Sequence, residues 1–96
     1  MAQIARSIEI DIDWLLDFLT GEWRNVESVA LAWDTLDQEA RLDYLNEWPI
    51  TESYGDVLDD AASHQRLTPD QDIRYQQLQH LIRKLRPTIE HLLAIG

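Results

Sequence analysis

Asp56, Asp60 and His64 follow one another at intervals of four residues, which on a helix lines them along one face. Two carboxylates and an imidazole are the groups that bind a divalent cation or carry general acid–base chemistry. They spread over about 12 Å of helix axis at 1.5 Å per residue, too far for one ion without ligands from elsewhere. The plainer reading is a solvated acidic face on which His64 forms an i, i+4 pair with Asp60. A second stripe joins His80, Lys84 and His91, with Arg83 beside it. It suits an anionic partner, or the chain's own acidic helices. A third set, Glu9, Asp13 and Asp17, follows one helix edge at regular acidic spacing and is expected to meet a basic protein.

Recognisable catalytic motifs are absent. The three glycines are isolated, so no phosphate-cradling loop can form. None of the four serines lies in a nucleophile elbow, and there is no Glu-x-x-His pair of the kind that holds two irons in a helical bundle. The chain has no cysteine, which removes disulfides, thiolate metal sites and a Cys nucleophile together. No catalytic, cofactor or metal residue is assigned on this reading, and Asp56, Asp60 and His64 stand as the enzymatic or metal-binding alternative.

Four tryptophans, Trp14, Trp23, Trp33 and Trp48, fall within residues 14–48. Trp33 sits on an apolar stripe and Trp48 precedes Pro49, so both are expected in the core. Trp14 lies at the edge of its apolar face and Trp23 follows Gly21. Both are candidates for partial exposure, where tryptophan is an interface anchor, although core packing is the expected fate of each in a small domain.

Few breakers punctuate the chain, which predicts an all-α fold with no sheet. The first helix is expected from about Ile10 to Thr20, capped by Asp11 and ended by Gly21. Ile8 to Trp14 alternates like a strand but has no partner strand, so it is an extended lead-in at most. A second helix is expected from near Asn25, with Val26, Val29, Ala30, Trp33 and Leu36 on one stripe. A capping box at Thr35-Leu36-Asp37-Gln38 starts another, which Pro49 should end. Thr51 or Ser53 can cap the next, packing through Tyr54, Val57, Leu58, Ala61 and Ala62. The strongest start signal is Thr68-Pro69-Asp70-Gln71. The expected architecture is one domain over 1–96, a compact antiparallel array of four to five helices, with the long last helix kinked or split near Pro87.

That last helix runs 27 residues from 69 to 95 if unbroken, about 40 Å. A compact domain of this length is about 30–35 Å across. The overhang would leave Ile89, Leu92, Leu93 and Ile95 uncovered, with Ile89, Leu92 and Leu93 as the candidate dimer interface. A bend at Pro87 covers them within one chain, and a two-fold homodimer covers them between chains.

Eight Lys+Arg stand against 18 Asp+Glu among 96 residues, a net charge of −10. Residues 1–65 hold 15 acids and three bases, whereas residues 66–96 carry a small positive excess. Such a balance argues against direct nucleic-acid contact and against anionic membrane surfaces. No apolar run reaches the ~20 residues of a membrane span, and the acidic N-terminal stretch is unlike a signal peptide. A cytoplasmic setting is expected. The leading functional reading is a non-enzymatic protein–protein interaction module, an adaptor, assembly factor or accessory subunit. The second is an acidic inhibitor whose carboxylates imitate nucleic-acid phosphates and block a basic partner.

Overall fold

The computed structural model describes residues 11–95, which form three helices: α1 (Ile12–Ala32), α2 (Gln38–Ser63) and α3 (Pro69–Ile95). A single 3-10 turn, Trp33–Thr35, links α1 to α2. Among the described residues there is no strand. The all-α class holds, with three helices in place of four to five. Glu9, with Ile8 and Ile10 of the alternating Ile8–Trp14 stretch, lies outside the described residues, whereas Ile12 to Trp14 of that stretch are helical.

Two breakers account for the difference in number. Gly21 sits inside α1 and Pro49 inside α2. In α1 the buried side chains Leu15, Leu16, Leu19, Trp23 and Val26 keep helical spacing straight across Gly21. Glycine costs about 1 kcal/mol relative to alanine in a helix. Burying Trp23 and Val26 beyond it returns about 1.5–3 kcal/mol each, so the helix continues. The same contest is decided the same way at Pro49, which is exposed while Trp48 and Thr51 beside it are buried. Pro87 is likewise exposed and neither ends nor splits α3.

The helix ends follow local chemistry. Asp11 caps α1 by accepting from the backbone N–H of Trp14 at 3.0 Å. Asp37, two residues later than the expected Thr35, caps α2 through Ala40 N–H at 2.8 Å. Thr68 and Gln71 form the predicted reciprocal box at the start of α3, at 2.9 and 3.1 Å. The end of α2 closes with the backbone N–H groups of Gln65 and Arg66 donating to the carbonyls of Ala62 and Ala61. This is the Schellman pattern, and it puts Gln65 at φ 58°, in the left-handed region that favours glycine. Gln65→Gly should therefore stabilise the domain by about 0.5–1 kcal/mol, read as a higher urea midpoint at unchanged slope.

Contacts fix the directions. Trp14 meets Tyr54 and Trp23 meets Trp48, so α1 and α2 run antiparallel. Tyr75 of α3 bonds Asp59, and Arg86 bonds Glu52, so α2 and α3 are antiparallel too. Helices α1 and α3 are thus parallel, with α3 beginning beside the start of α1, where Gln71 and Arg74 reach Asp13. The core runs from Leu15 and Leu16 through Leu19, Trp23, Trp48, Leu58, Leu78 and Leu85 to Ile89 and Leu92.

The body measures 48 × 31 × 17 Å with a radius of gyration of 15.5 Å, against about 12–13 Å for a compact chain of this length. A 40 Å helix does not overhang a body 48 Å long. Ile89 and Leu92 are accordingly buried in the chain's own core, while Leu93 and Ile95, the other two expected tip residues, are exposed. Ile89 and Leu92 are therefore not open to a homodimer interface, and only Leu93 and Ile95 of that tip face solvent.

Candidate interaction surface

The α1–α2 groove carries the largest aromatic group left partly open to solvent. Trp14 and Phe18, one helical turn apart, stack with ring centroids 5.0 Å apart and planes 7° from parallel. Tyr54 of α2 stands edge-on to both, at 5.4 and 5.3 Å. Trp14 is 46% exposed and Tyr54 37%. Ile50 and Val57 are exposed as well. With Tyr54 they are spaced i, i+4, i+7, so the three share one stripe of α2.

The same stripe continues toward the start of α2 as Asp43 and Glu47, both exposed. Glu22 of α1 lies close enough to Tyr44 to raise its pKa, which brings a third carboxylate to this end of the groove. Helix α2 has seven acids and one base, Arg41. That base is engaged: its Nε donates to the Trp33 carbonyl at 2.9 Å and its guanidinium lies 5.7 Å from the centre of the Trp33 ring. The groove thus presents an aromatic, apolar end and an acidic end.

Trp14 is exposed, in line with its position at the edge of the apolar face. Trp23 is a core residue, 2% exposed, and drops out as a partner-binding candidate. With α1 unbroken at Gly21, Trp23 falls four residues after Leu19 on the inward stripe. Tyr54 and Val57, expected in the core, face outward instead, because α2 turns Trp48, Thr51, Leu58 and Ala61 inward. Phe18, Ile50, Tyr54 and Val57 are the surface residues that sequence reasoning missed. The spacing of Ile50, Tyr54 and Val57 is visible in the chain, but it competes with the stripe that is buried.

Asp13 and Asp17 are not a free acidic edge. Arg74 of α3 donates to Asp13 at 3.1 Å and to Asp17 at 2.6 Å, and Gln71 donates to Asp13 at 2.9 Å. Both carboxylates remain largely exposed, so each contact contributes modestly. Reversing both to lysine places two ammonium groups beside Arg74. The expected result is a loss of about 1–2 kcal/mol in urea unfolding before any partner is added. An unchanged midpoint would show that these pairs hold nothing.

Asp60 and His64 form the i, i+4 pair, with Nδ1 3.5 Å from the Asp60 carboxylate and 2.8 Å from the Asp60 carbonyl. Asp56 does not join them. Among the described residues no three His, Asp or Glu side chains converge to hold a metal ion. His80, Arg83, Lys84 and His91 are all exposed; His80 and Lys84 line the α1–α3 groove, and His91 and Arg83 do not.

Two tyrosines titrate abnormally. Burial, followed by the charge of Glu22, pushes the Tyr44 hydroxyl up to about 12. Burial also pushes Tyr75 up to about 12, assisted by its 2.7 Å hydrogen bond to Asp59 and by the charges of Asp59 and Asp72. An unfolded tyrosine titrates near 10. Because the folded values are higher, their contribution is fully present below pH ~10 and is lost as pH rises from there through about 12. Stability should fall across that window, and Tyr44→Phe with Tyr75→Phe should flatten the fall. The Tyr44 hydroxyl is buried without a hydrogen-bond partner, so Tyr44→Phe alone should be neutral or stabilising by up to about 1 kcal/mol at neutral pH.

Among the described residues no helix is long and apolar enough to cross a membrane. Comparison of the chain with protein-family models, with curated proteins and with solved structures finds no match.

Proposed function

We propose that this domain is a non-enzymatic interaction module that takes a basic, amphipathic helix in the groove between α1 and α2. The observation that carries this reading is the open aromatic trio Trp14, Phe18 and Tyr54, continued along α2 by the exposed stripe Ile50, Val57, Glu47 and Asp43. Two antiparallel helices with apolar side chains along their shared outer groove offer a seat for a further helix. The partner's apolar residues cover Trp14, Tyr54 and Val57. Its Lys or Arg side chains meet Glu47, Asp43 and Glu22, where no free base competes. A chain of net charge −10 draws such a partner by long-range attraction and repels a second copy of itself.

The alternative reading as a phosphate-imitating inhibitor rested on the regular edge of Glu9, Asp13 and Asp17. It has less support, since Asp13 and Asp17 already spend part of their charge on Arg74.

Titration of isotope-labelled protein with two synthetic helical peptides tests the proposal. The two share one leucine stripe, and one carries lysine and the other glutamate on the remaining face. The lysine peptide should shift the resonances of Trp14, Tyr54 and Glu47, less so as salt is raised, and the glutamate peptide should not. Equal binding of both peptides, or shifts confined to another face, would overturn it.

A further inference from the structure

The groove between α1 and α3 differs in kind from the one between α1 and α2. It is an open surface cleft of about 580 Å³, whose Arg24, His80 and Lys84 side chains are exposed. Its walls hold Arg24 on α1 and Arg74, His80 and Lys84 on α3, against one carboxylate, that of Asp17. This gathers three of the eight strong bases of a chain with 18 acids. Arg74 is committed to Asp13 and Asp17. Arg24 and Lys84 form no ion pair among the described residues, although carboxylates abound elsewhere on the surface. The floor is apolar, made by Leu78 and Leu81.

Gly21 supplies a second, independent observation. It lies in the middle of a 21-residue helix, where glycine is unfavourable by about 1 kcal/mol relative to alanine. No turn or left-handed torsion requires it, and a Cβ built there meets no atom within 4 Å. What the missing side chain does is leave the cleft wall open, for Gly21 is part of that lining.

We propose that the α1–α3 cleft is a binding site for a small phosphate monoester. The dianionic head sits between Arg24 and Lys84, with the His80 ring as an additional donor, and the apolar body rests on Leu78 and Leu81. Two uncommitted cations match a dianion better than a single carboxylate. The acids of α2 oppose any anion at long range. Screening at ordinary ionic strength limits that opposition to about 10 Å, while contacts inside the cleft are screened less.

The test is an NMR titration of the full chain with phenyl phosphate and, separately, inorganic phosphate. Phenyl phosphate should shift the amide resonances of Gly21, Arg24, Leu81 and Lys84 in the millimolar range. Arg24→Gln with Lys84→Gln should weaken it about tenfold or more, and Lys84→Arg should retain it. Gly21→Leu adds a side chain to the cleft wall, starting from a Cβ that meets no atom within 4 Å, and improves helix propensity, so it should keep the fold, as judged by circular dichroism, and lose phenyl phosphate. Equal responses to both ligands, lost in the double glutamine variant, support the anion site and assign it to the free ion. Shifts scattered over surface arginines, or binding unchanged in both the double variant and Gly21→Leu, overturn the proposal.

Discussion

Trp23→Ala should lower the unfolding free energy by about 3–5 kcal/mol, the largest loss expected of any single truncation in this domain. Trp23 is where the three helices meet. Its ring packs edge-on against Trp48 of α2 at 4.9 Å, and the guanidinium of Arg86 from α3 lies 5.1 Å from its centroid. Arg86 in turn donates to both oxygens of Glu52, which also accepts from Trp48 Nε1 at 3.1 Å. Removing the indole leaves a cavity in the core and deprives Arg86 of the surface it lies on. A domain of this size has a total stability of about 5–15 kcal/mol, so the variant is left near the folding threshold. At about 4–8 °C per kcal/mol the midpoint should drop by roughly 12–40 °C. Urea unfolding followed by far-ultraviolet circular dichroism measures the loss. A change under 1 kcal/mol would mean that the three helices are held elsewhere. Arg86→Ala gives the comparison, costing about 1 kcal/mol because that pair is partly solvated and well screened.

Trp23 also shows where sequence reading succeeds and fails. The start of α3 was legible in full, because Thr68 and Gln71 satisfy each other's backbone within four residues and no distant contact is needed. Gly21 and Pro49 were misleading for the opposite reason. Each carries a local cost of about 1–3 kcal/mol, and each is overruled by side chains buried on both sides of it against other helices. Reading a break at Gly21 detached Trp23 from Leu16 and Leu19 and turned a core residue into a surface candidate. Trp14 escaped this error because nothing interrupts the turn around it. Tyr54 did not escape. Helix α2 offers two apolar stripes, Trp48-Thr51-Leu58 and Ile50-Tyr54-Val57, and only the packing of α1 and α3 decides which turns inward. The pairing of Arg74 with Asp13 and Asp17 spans 57 to 61 residues. Charge asymmetry along the chain hinted that the two ends attract, but it could not say which groups would meet.

The same geometry separates residues that hold the fold from those available to a partner, and this sets the second large expectation. Trp14→Ala combined with Tyr54→Ala should weaken binding of a basic amphipathic helix by at least about a hundredfold, the scale at which central aromatic anchors act. Stability should change by much less than for Trp23→Ala, because both side chains are already substantially exposed and give up little buried area on truncation. Part of the stability loss comes from the rings themselves, since each packs against Phe18 at 5.0 to 5.3 Å. Trp14→Phe therefore serves as the comparison: it keeps an aromatic ring against Phe18 and should recover part of the binding. Glu47→Lys acts through a different term. It reverses charge at the acidic end of the groove without touching an ion pair, so it should slow association and reduce the dependence on ionic strength while leaving the urea midpoint in place. Affinity lost in the double alanine variant together with a reduced salt dependence in Glu47→Lys would assign the two ends of the groove their separate roles. A lysine-faced helical peptide that binds the double alanine variant as tightly as the wild type would remove the aromatic trio from the interface, and the α1–α2 groove with it.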